Sequence, residues 1–352
     1  MGERLGDRAW PLVGRDEELA QIEAALRPPS FGIVIAGEAG TGKTRLATTA
    51  SETRLEVSRV RIVGSSSLRA VPLGAFAAQL PPDSGRTPRQ PTELLRTLAA
   101  QLAPPGTAPP LVCVDDAHLL DDLSAGLVLE LVASGRALLL ATLRSREPCP
   151  DAVRRLWRDG HVRRLELQPL GVDEIEQLVT IVLGGPVDGA TQRRIWKASG
   201  GNLLYLRELV RIGLASGALA RRGELWIWEG PLIVSTELHE LIAERLAGLE
   251  PQTLAALETV AVAEPLTGEI AERLGVAARL GDLERHGLLQ ADATGELRLA
   301  HPLFGQVVRA GLSSRRAAEL ARAHGAALAA TRGDLLRLAI AQADGHVPPD
   351  PA

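Results

Sequence analysis

The segment from Phe31 to Thr44 constrains this chain more than any other. Phe31–Ala36 (FGIVIA) is a short run rich in β-branched residues, and Gly37-Glu38-Ala39-Gly40-Thr41-Gly42-Lys43-Thr44 follows at once. A helical pattern then runs from Arg45 to Thr53. Strand, glycine-rich loop and helix in direct succession, with the spacing G-x-x-x-x-G-K-[ST], is the pattern of a phosphate-binding loop. The glycines let the backbone wrap until successive N–H groups point into one anion-sized cavity. A helix that begins at Lys43 adds the positive end of its dipole. In this pattern Lys43 reaches β- and γ-phosphates, and the Thr44 hydroxyl is a hard oxygen ligand for Mg²⁺. Arg45, the next residue of the helix, is grouped with the phosphate-binding segment. Lys43 and Lys197 are the only lysines among 39 basic residues, so a lysine at this position answers a chemical need rather than a coding habit.

Further apolar runs at Val57–Val63, Leu111–Asp115, Ala137–Thr142 and Val162–Leu167 alternate with helical patterns, at Ser66–Leu80, Thr92–Leu102 and up to Ala133 among others. Pro81–Pro91 reads as a turn-rich linker and Pro104–Pro110 as a loop. This alternation predicts an α/β P-loop NTPase domain over residues 1–169, with a parallel five-stranded sheet covered by helices on both faces. The run Leu111-Val112-Cys113-Val114-Asp115-Asp116 puts two carboxylates at the carboxyl edge of that sheet, where ligands bind in such folds. Asp115 is expected to hold Mg²⁺, and Asp116 to orient the attacking water, because phosphoryl transfer depends mainly on positioning and charge neutralisation. Lys43 completes that catalytic set.

Beyond Pro169 the strand signal fades. Residues 170–234 read as an all-α lid with helices at Val172–Leu183, Ala190–Ala198 and Leu203–Ala215, followed by a small hairpin at Ala218–Trp228 with its turn at Arg222-Gly223. Residues 235–312 read as a winged-helix domain. Its helices run from Ser235 to Arg285 with breaks at Gly248, Pro265 and Gly275, and a strand pair, Leu288–Ala291 and Glu296–Ala300, turns around Thr294-Gly295. Helix is expected again from Pro302 to Ala343, with 313–352 as a C-terminal helical segment and Pro348–Ala352 as a frayed end.

Composition narrows the function classes. The longest apolar runs fall far short of the ~18 residues of a membrane span. Met1–Asp16 has no apolar stretch of the secretory kind, and two cysteines, Cys113 and Cys149, make neither a disulfide scaffold nor a four-ligand metal site. A cytoplasmic protein without membrane contact is expected. The net charge of −4 lacks the basic footprint of a nucleic-acid-binding chain, so no DNA contact is expected from it. Six of the seven histidines, all but His301, read as surface or packing residues.

Five motifs, in order along residues ~10–315, resemble one family. Leu12-Val13-Gly14-Arg15-Asp16-Glu17-Glu18-Leu19, the phosphate loop with Asp115-Asp116, Thr142-Leu143-Arg144 after the next strand, Gly200-Gly201-Asn202-Leu203-Leu204-Tyr205-Leu206-Arg207-Glu208-Leu209, and His301-Pro302-Leu303-Phe304 look like a STAND-class signalling ATPase of the AAA-like group. The nearest likeness is to the ATPase core of large ATP-binding regulators of the LuxR family, related to the bacterial maltose regulator. The resemblance implies that Val13, Gly14 and Arg15 line the adenine and ribose pocket and that Arg144 senses the γ-phosphate. It implies that the Gly201-Asn202 turn, with Leu203 where the family usually has proline, places the lid over the base. His301 would then reach the phosphates. It also implies an ATP/ADP switch that hydrolyses ATP slowly with Mg²⁺, closed with ADP and open with ATP, answering an inducer or protein partner and self-associating in a nucleotide-dependent way. The family continues into a helical-repeat arm and a DNA-binding helix-turn-helix, so these residues read as a piece of such a chain or a short variant that works through a partner. The other readings are an AAA-like initiator or loader that uses its winged helix on DNA, and a metabolic P-loop kinase, for which no acceptor pocket is legible.

Overall fold

The computed structural model describes residues 10–28, 30–53, 57–79, 91–230, 236–291 and 295–331. Most of the Pro81–Pro91 linker, the Thr294 side of the expected wing turn, the helix expected from residue 332 to Ala343 and the end at Pro348–Ala352 lie outside them. The chain divides into two compact units, Trp10–Leu170 and the residues from Gly171 onward, each described below by itself.

The first unit contains α1 (Asp16–Ala25), β1 (Gly32–Gly37), α2 (Lys43–Glu52), β2 (Arg59–Val63), α3 (Pro91–Leu102), β3 (Leu111–Asp115), α4 (Asp122–Ala133), β4 (Leu138–Arg144), α5 (Asp151–Arg158) and β5 (Arg163–Glu166). The strands form one parallel sheet in the order β2-β3-β4-β1-β5. With helices on both faces this is an α/β P-loop NTPase core. Strand β1 is buried along its whole length, and its side chains alternate between two cores. Ile33 and Ile35 join Ile22, Leu26, Leu46 and Ala50 under α1 and α2. Val34 and Ala36 join Leu98, Leu131 and Leu156 from α3, α4 and α5 on the opposite face. Each buried Val, Leu or Ile among them contributes about 1.5–3 kcal/mol on burial. That burial fixes β1 in the sheet, and the loop that follows Gly37 is held from it.

Gly32 begins β1 at φ 140°, and a Cβ there would sit 2.1 Å from the Leu139 carbonyl oxygen of β4. No side chain fits without moving a backbone. Gly32→Ala is therefore expected to destabilise the first unit by about 2–4 kcal/mol through strain and overpacking, read as a lower midpoint in chemical denaturation.

Two local expectations are corrected in this unit. The helix expected over Ser66–Leu80 is not seen at 66–79, the part described: that stretch is a series of turns followed by a 3-10 helix over Gly74–Gln79. Pro72 lies in the middle of it, and Leu73 takes a left-handed φ of 57° while its N–H donates to Asp121 Oδ1 at 3.0 Å. The same Asp121 oxygen caps α4 by accepting from Leu123 and Ser124. The strand expected to stop at Thr142 continues to Arg144, so Arg144 ends β4 rather than following it. Two helices without a sequence assignment, α1 and α5, complete the two faces of the sheet.

The second unit is helical, with two small hairpins. It contains α6 (Val172–Leu183), α7 (Gly189–Ser199), α8 (Leu203–Ser216), β6 (Leu219–Arg222), β7 (Leu225–Trp228), α9 (Thr236–Ala247), α10 (Pro251–Ala263), α11 (Gly268–Arg273), α12 (Ala277–Arg285), β8 (Leu289–Ala291), β9 (Leu297–Leu299), α13 (Pro302–Gly311) and α14 (Ser314–Ala330). The β6–β7 loop is Gly223-Glu224, one residue beyond the expected turn. Trp228 packs on α8 at Gly213, where a Cβ would come within 2.6 Å of the indole. The core of α9–α13 gathers Ile242, Leu257, Val260, Leu283, Leu303 and Phe304. The helix expected to run unbroken from Pro302 is interrupted at Leu312, because Ser313 turns extended and caps α14 through Arg316 N–H.

Candidate functional site

The Gly37–Thr44 loop leaves the carboxyl end of β1 and enters α2 at Lys43. Gly40 and Gly42 take φ values of 81° and 94°, which L-residues with side chains rarely adopt. Gly37 is required for a different reason: a Cβ there would lie 2.8 Å from the Leu167 carbonyl oxygen. Lys43 is 7% exposed, and its Nζ donates to the Glu38 carbonyl oxygen at 2.6 Å, an oxygen that also accepts from Thr41 Oγ1. Burial lowers the Lys43 pKa. The carboxylates of Asp116, Asp115 and Glu147 oppose that effect, and Arg144 adds to it.

Asp115 ends β3, and β4 lies between it and β1. Its Oδ1 accepts from Thr44 Oγ1 at 2.9 Å and from Thr142 Oγ1 on β4. The Thr142 hydroxyl in turn accepts the Asp116 N–H at 3.0 Å. One buried threonine thus fixes both residues of the Asp115-Asp116 pair. Asp116 has φ 52°, a left-handed backbone in a non-glycine residue, and its carbonyl oxygen approaches Gly64 so closely that a Cβ there would stand 2.2 Å away. Such a conformation costs of order 1–3 kcal/mol and persists only where its surroundings hold it, a frequent condition at functional sites. Here the holding groups are Thr142, Gly64 and the 3-10 helix Ala117–Leu119.

Arg144 ends β4 beside this edge and pairs with Glu147 at 2.7 Å. Arg146 lies 3.5 Å from Glu38. His118, expected on the surface or in packing, is 1% exposed with Nε2 3.1 Å from Glu147 Oε2 and Nδ1 3.9 Å from Asp116 Oδ1. Burial lowers its pKa despite the Glu147 and Asp116 carboxylates, so the ring is held toward its neutral form. Gly64, His118 and Glu147 are neighbours of the site that the sequence reading missed, and Thr142 was read only as part of the Thr142-Leu143-Arg144 motif. Their common signal is a position within a few residues of Asp115-Asp116 or of the strand ends that flank them.

Val13, Gly14 and Arg15 precede α1. Val13 is buried and Gly14 is left-handed at φ 63°. The Arg15 guanidinium donates to Glu18 at 2.7 Å and to the Gln168 carbonyl oxygen at 2.6 Å. The remaining expected residues belong to the second unit. Asn202 caps α8, its side chain accepting from Leu204 and Tyr205 N–H. Gly201 (φ 76°) precedes it and Leu203 opens the helix. His301 caps α13, its Nδ1 accepting from Leu303 N–H at 3.2 Å. The His301 ring lies against Gly200, where a Cβ would come within 2.8 Å, and packs edge-on to Tyr205 at 4.7 Å between centroids. The motifs at 200–209 and 301–304 therefore meet in one packed joint. His301→Ala removes a helix cap, typically about 1 kcal/mol, together with ring packing, and is expected to lower thermal stability by a few degrees.

The residues present suit a nucleotide with its metal. Thr44 Oγ1 and Asp115 Oδ1 converge as two hard oxygens, the kind of partial shell Mg²⁺ takes from protein when phosphates and water supply the rest. Among the described residues no cluster of three or more His, Cys, Asp or Glu forms a self-sufficient metal site. No described helix is long and apolar enough to cross a membrane.

Comparison with known proteins agrees with this geometry. The family model of the AAA ATPase domain matches residues 11–143. That match lies wholly within the first unit. The match takes in Val13–Arg15, the phosphate loop and Asp115-Asp116, and stops one residue before Arg144. The ATPase BagA of Mycobacterium tuberculosis is 26% identical over 181 residues, covering 51% of this chain and 48% of that protein. The chain thus spans about half the length of the curated relatives it matches. Among solved structures, a STAND protein with a tetratricopeptide repeat sensor from Pyrococcus horikoshii covers 98% of this chain and 50% of its own, with 17% identity and a TM-score of 0.42. The Aeropyrum pernix ORC1 protein in complex with DNA covers 86% and 94%, with 16% identity and a TM-score of 0.45. At these scores neither likeness bears on function.

Proposed function

We propose that the first unit binds ATP or ADP with Mg²⁺ and hydrolyses ATP slowly, as the switch module of a signalling or transcription-regulating protein of the STAND class. The observation that carries this reading is the convergence of Lys43, Thr44, Asp115 and Asp116 at one sheet edge, with the Thr44 hydroxyl 2.9 Å from Asp115. Thr44 and Asp115 would hold the Mg²⁺, which when bound would supply neutralisation of charge developing on the phosphates. The protein's part is to supply the cradle of N–H groups from Glu38 to Thr44, to turn Lys43 from the Glu38 carbonyl onto phosphate, and to present Thr44 and Asp115 to the metal. Asp116, whose carboxylate faces Lys43 and His118, is the group proposed to orient the attacking water. Val13, Gly14 and Arg15 are proposed to border the base and ribose, with Arg45 beside the phosphates, and Arg144 to read the γ-phosphate. The experiment that tests the reading is phosphate release from ATP with and without Mg²⁺, which should be slow and wholly Mg²⁺-dependent.

Support for a regulatory role, rather than a metabolic one, comes from the second unit. The segments that resemble the lid and winged-helix motifs of LuxR-family, maltose-regulator-like ATPases pack on each other through His301 and Gly200. An inducer or protein partner, and nucleotide-dependent self-association, belong to the same proposal. A second reading, an AAA-like initiator or loader acting on DNA, is favoured by one feature. Helices α10–α12 followed by the antiparallel pair β8–β9 have the element order of a winged helix. Salt-dependent retention of DNA by this chain would select that reading. The net charge of −4 speaks for the first.

A further inference from the structure

Glu147 stands between two partners with different freedoms. One carboxylate oxygen lies 3.1 Å from Nε2 of His118, a ring that is 1% exposed and rooted in the 3-10 turn just after Asp116. The other lies 2.7 Å from Nη1 of Arg144, in a pair whose side chains are 41% and 43% exposed. The Glu147 N–H also turns back to the Arg144 carbonyl oxygen, so the residue is held at the end of β4 by its backbone as well. His118 cannot move without opening the core, whereas Arg144 can swing through solvent. The charged groups facing His118 are Glu147, Asp116, Arg144 and Lys43, which belong to the edge where the phosphates are proposed to sit.

An exposed arginine–carboxylate pair is weak, and a terminal phosphate with several charged oxygens competes well for the guanidinium. A triphosphate would have to take Arg144 from Glu147, and a diphosphate would not. We propose that Glu147, packed against the buried His118 ring and tied back by its own N–H to the Arg144 carbonyl, is a positioning residue that holds Arg144 and thereby lowers the preference of the site for nucleoside triphosphate over diphosphate. This rests on the nucleotide reading of the same site. It adds a device for which neither the phosphate loop nor the Asp115-Asp116 pair is needed, and it gives the buried histidine a task.

The test is calorimetric titration of MgATP and MgADP into the wild-type chain, Glu147→Gln, Arg144→Ala and the double variant. Glutamine keeps the size of the exposed Glu147 side chain while removing its charge. Glu147→Gln is expected to raise the ATP-over-ADP affinity ratio about two- to fivefold, the range of an exposed ion pair. The same change in the Arg144→Ala background should leave the ratio unmoved, a non-additivity that a merely structural role would not produce. His118→Gln should shift the ratio in the same direction when Glu147 is present, and Glu147→Gln decides the matter if that buried variant fails to fold. An unchanged ratio in Glu147→Gln, or a shift that survives removal of Arg144, overturns the proposal while leaving nucleotide binding intact. A wild-type chain that binds neither nucleotide overturns the nucleotide reading, and this proposal with it.

Discussion

Lys43→Ala should abolish measurable nucleotide binding while leaving the protein folded. Lysine at this position is expected to donate to both the β- and γ-phosphates. At about 1.5–3 kcal/mol for each hydrogen bond to a charged group, the loss is at least about a hundredfold in affinity. The folded state has little to lose. The Lys43 ammonium is engaged with the Glu38 carbonyl, which also has Thr41, and burial works against its charge. Alanine is also the better helix former at the start of α2. Circular dichroism and the thermal midpoint should therefore match wild type while calorimetric heats vanish. Wild-type affinity in this variant would remove the phosphate loop from the function.

Asp116→Asn should keep MgATP binding and reduce hydrolysis by about two to three orders of magnitude, the usual contribution of a positioned acid–base group. The choice of asparagine matters. Residue 116 sits at φ 52°, a region that asparagine and aspartate tolerate better than other side chains, so the strained turn survives the substitution. Thr142 still accepts the backbone N–H of residue 116, and Asp115 still holds Thr44 and Thr142. What is lost is the carboxylate charge that faces Lys43 and His118. Single-turnover phosphate release at saturating MgATP isolates the chemical step. Undiminished release would mean that the water is oriented from elsewhere, with Glu147 the nearest alternative carboxylate on the Arg144 side.

How much of this was legible in the sequence follows from how local each cause is. The phosphate loop is written in eight consecutive residues, the strand before it fills the six that precede them, and the helix follows directly. The Asp115-Asp116 strand end is equally local. What fixes those two carboxylates is not. Thr142 reaches Asp115 because β4 lies between β1 and β3 in the sheet, a neighbour relation that only the sheet order reveals. His118 is buried because the turn at Arg144–Glu147, some thirty positions later, covers it. Seen along the chain alone it is one histidine between Ala117 and the pair Leu119-Leu120. Over Ser66–Gln79, Leu68, Val71 and Ala75 imitate helical spacing, whereas Pro72 and the tie from Leu73 N–H to Asp121 force turns. In the second unit the Gly200–Asn202 and His301 motifs stand a hundred residues apart. Their meeting through the His301 ring was outside what spacing can say.

The central claim is that Lys43, Thr44, Asp115 and Asp116 form one site for a nucleotide and its metal. Titrating MgATP into the purified wild-type chain tests it most directly, with an identical titration in excess chelator as the comparison. The account predicts saturable binding of one nucleotide per chain with Mg²⁺, and a marked loss of affinity when the metal is withdrawn from Thr44 and Asp115. No saturable heat at millimolar MgATP, or an affinity indifferent to Mg²⁺, would contradict it.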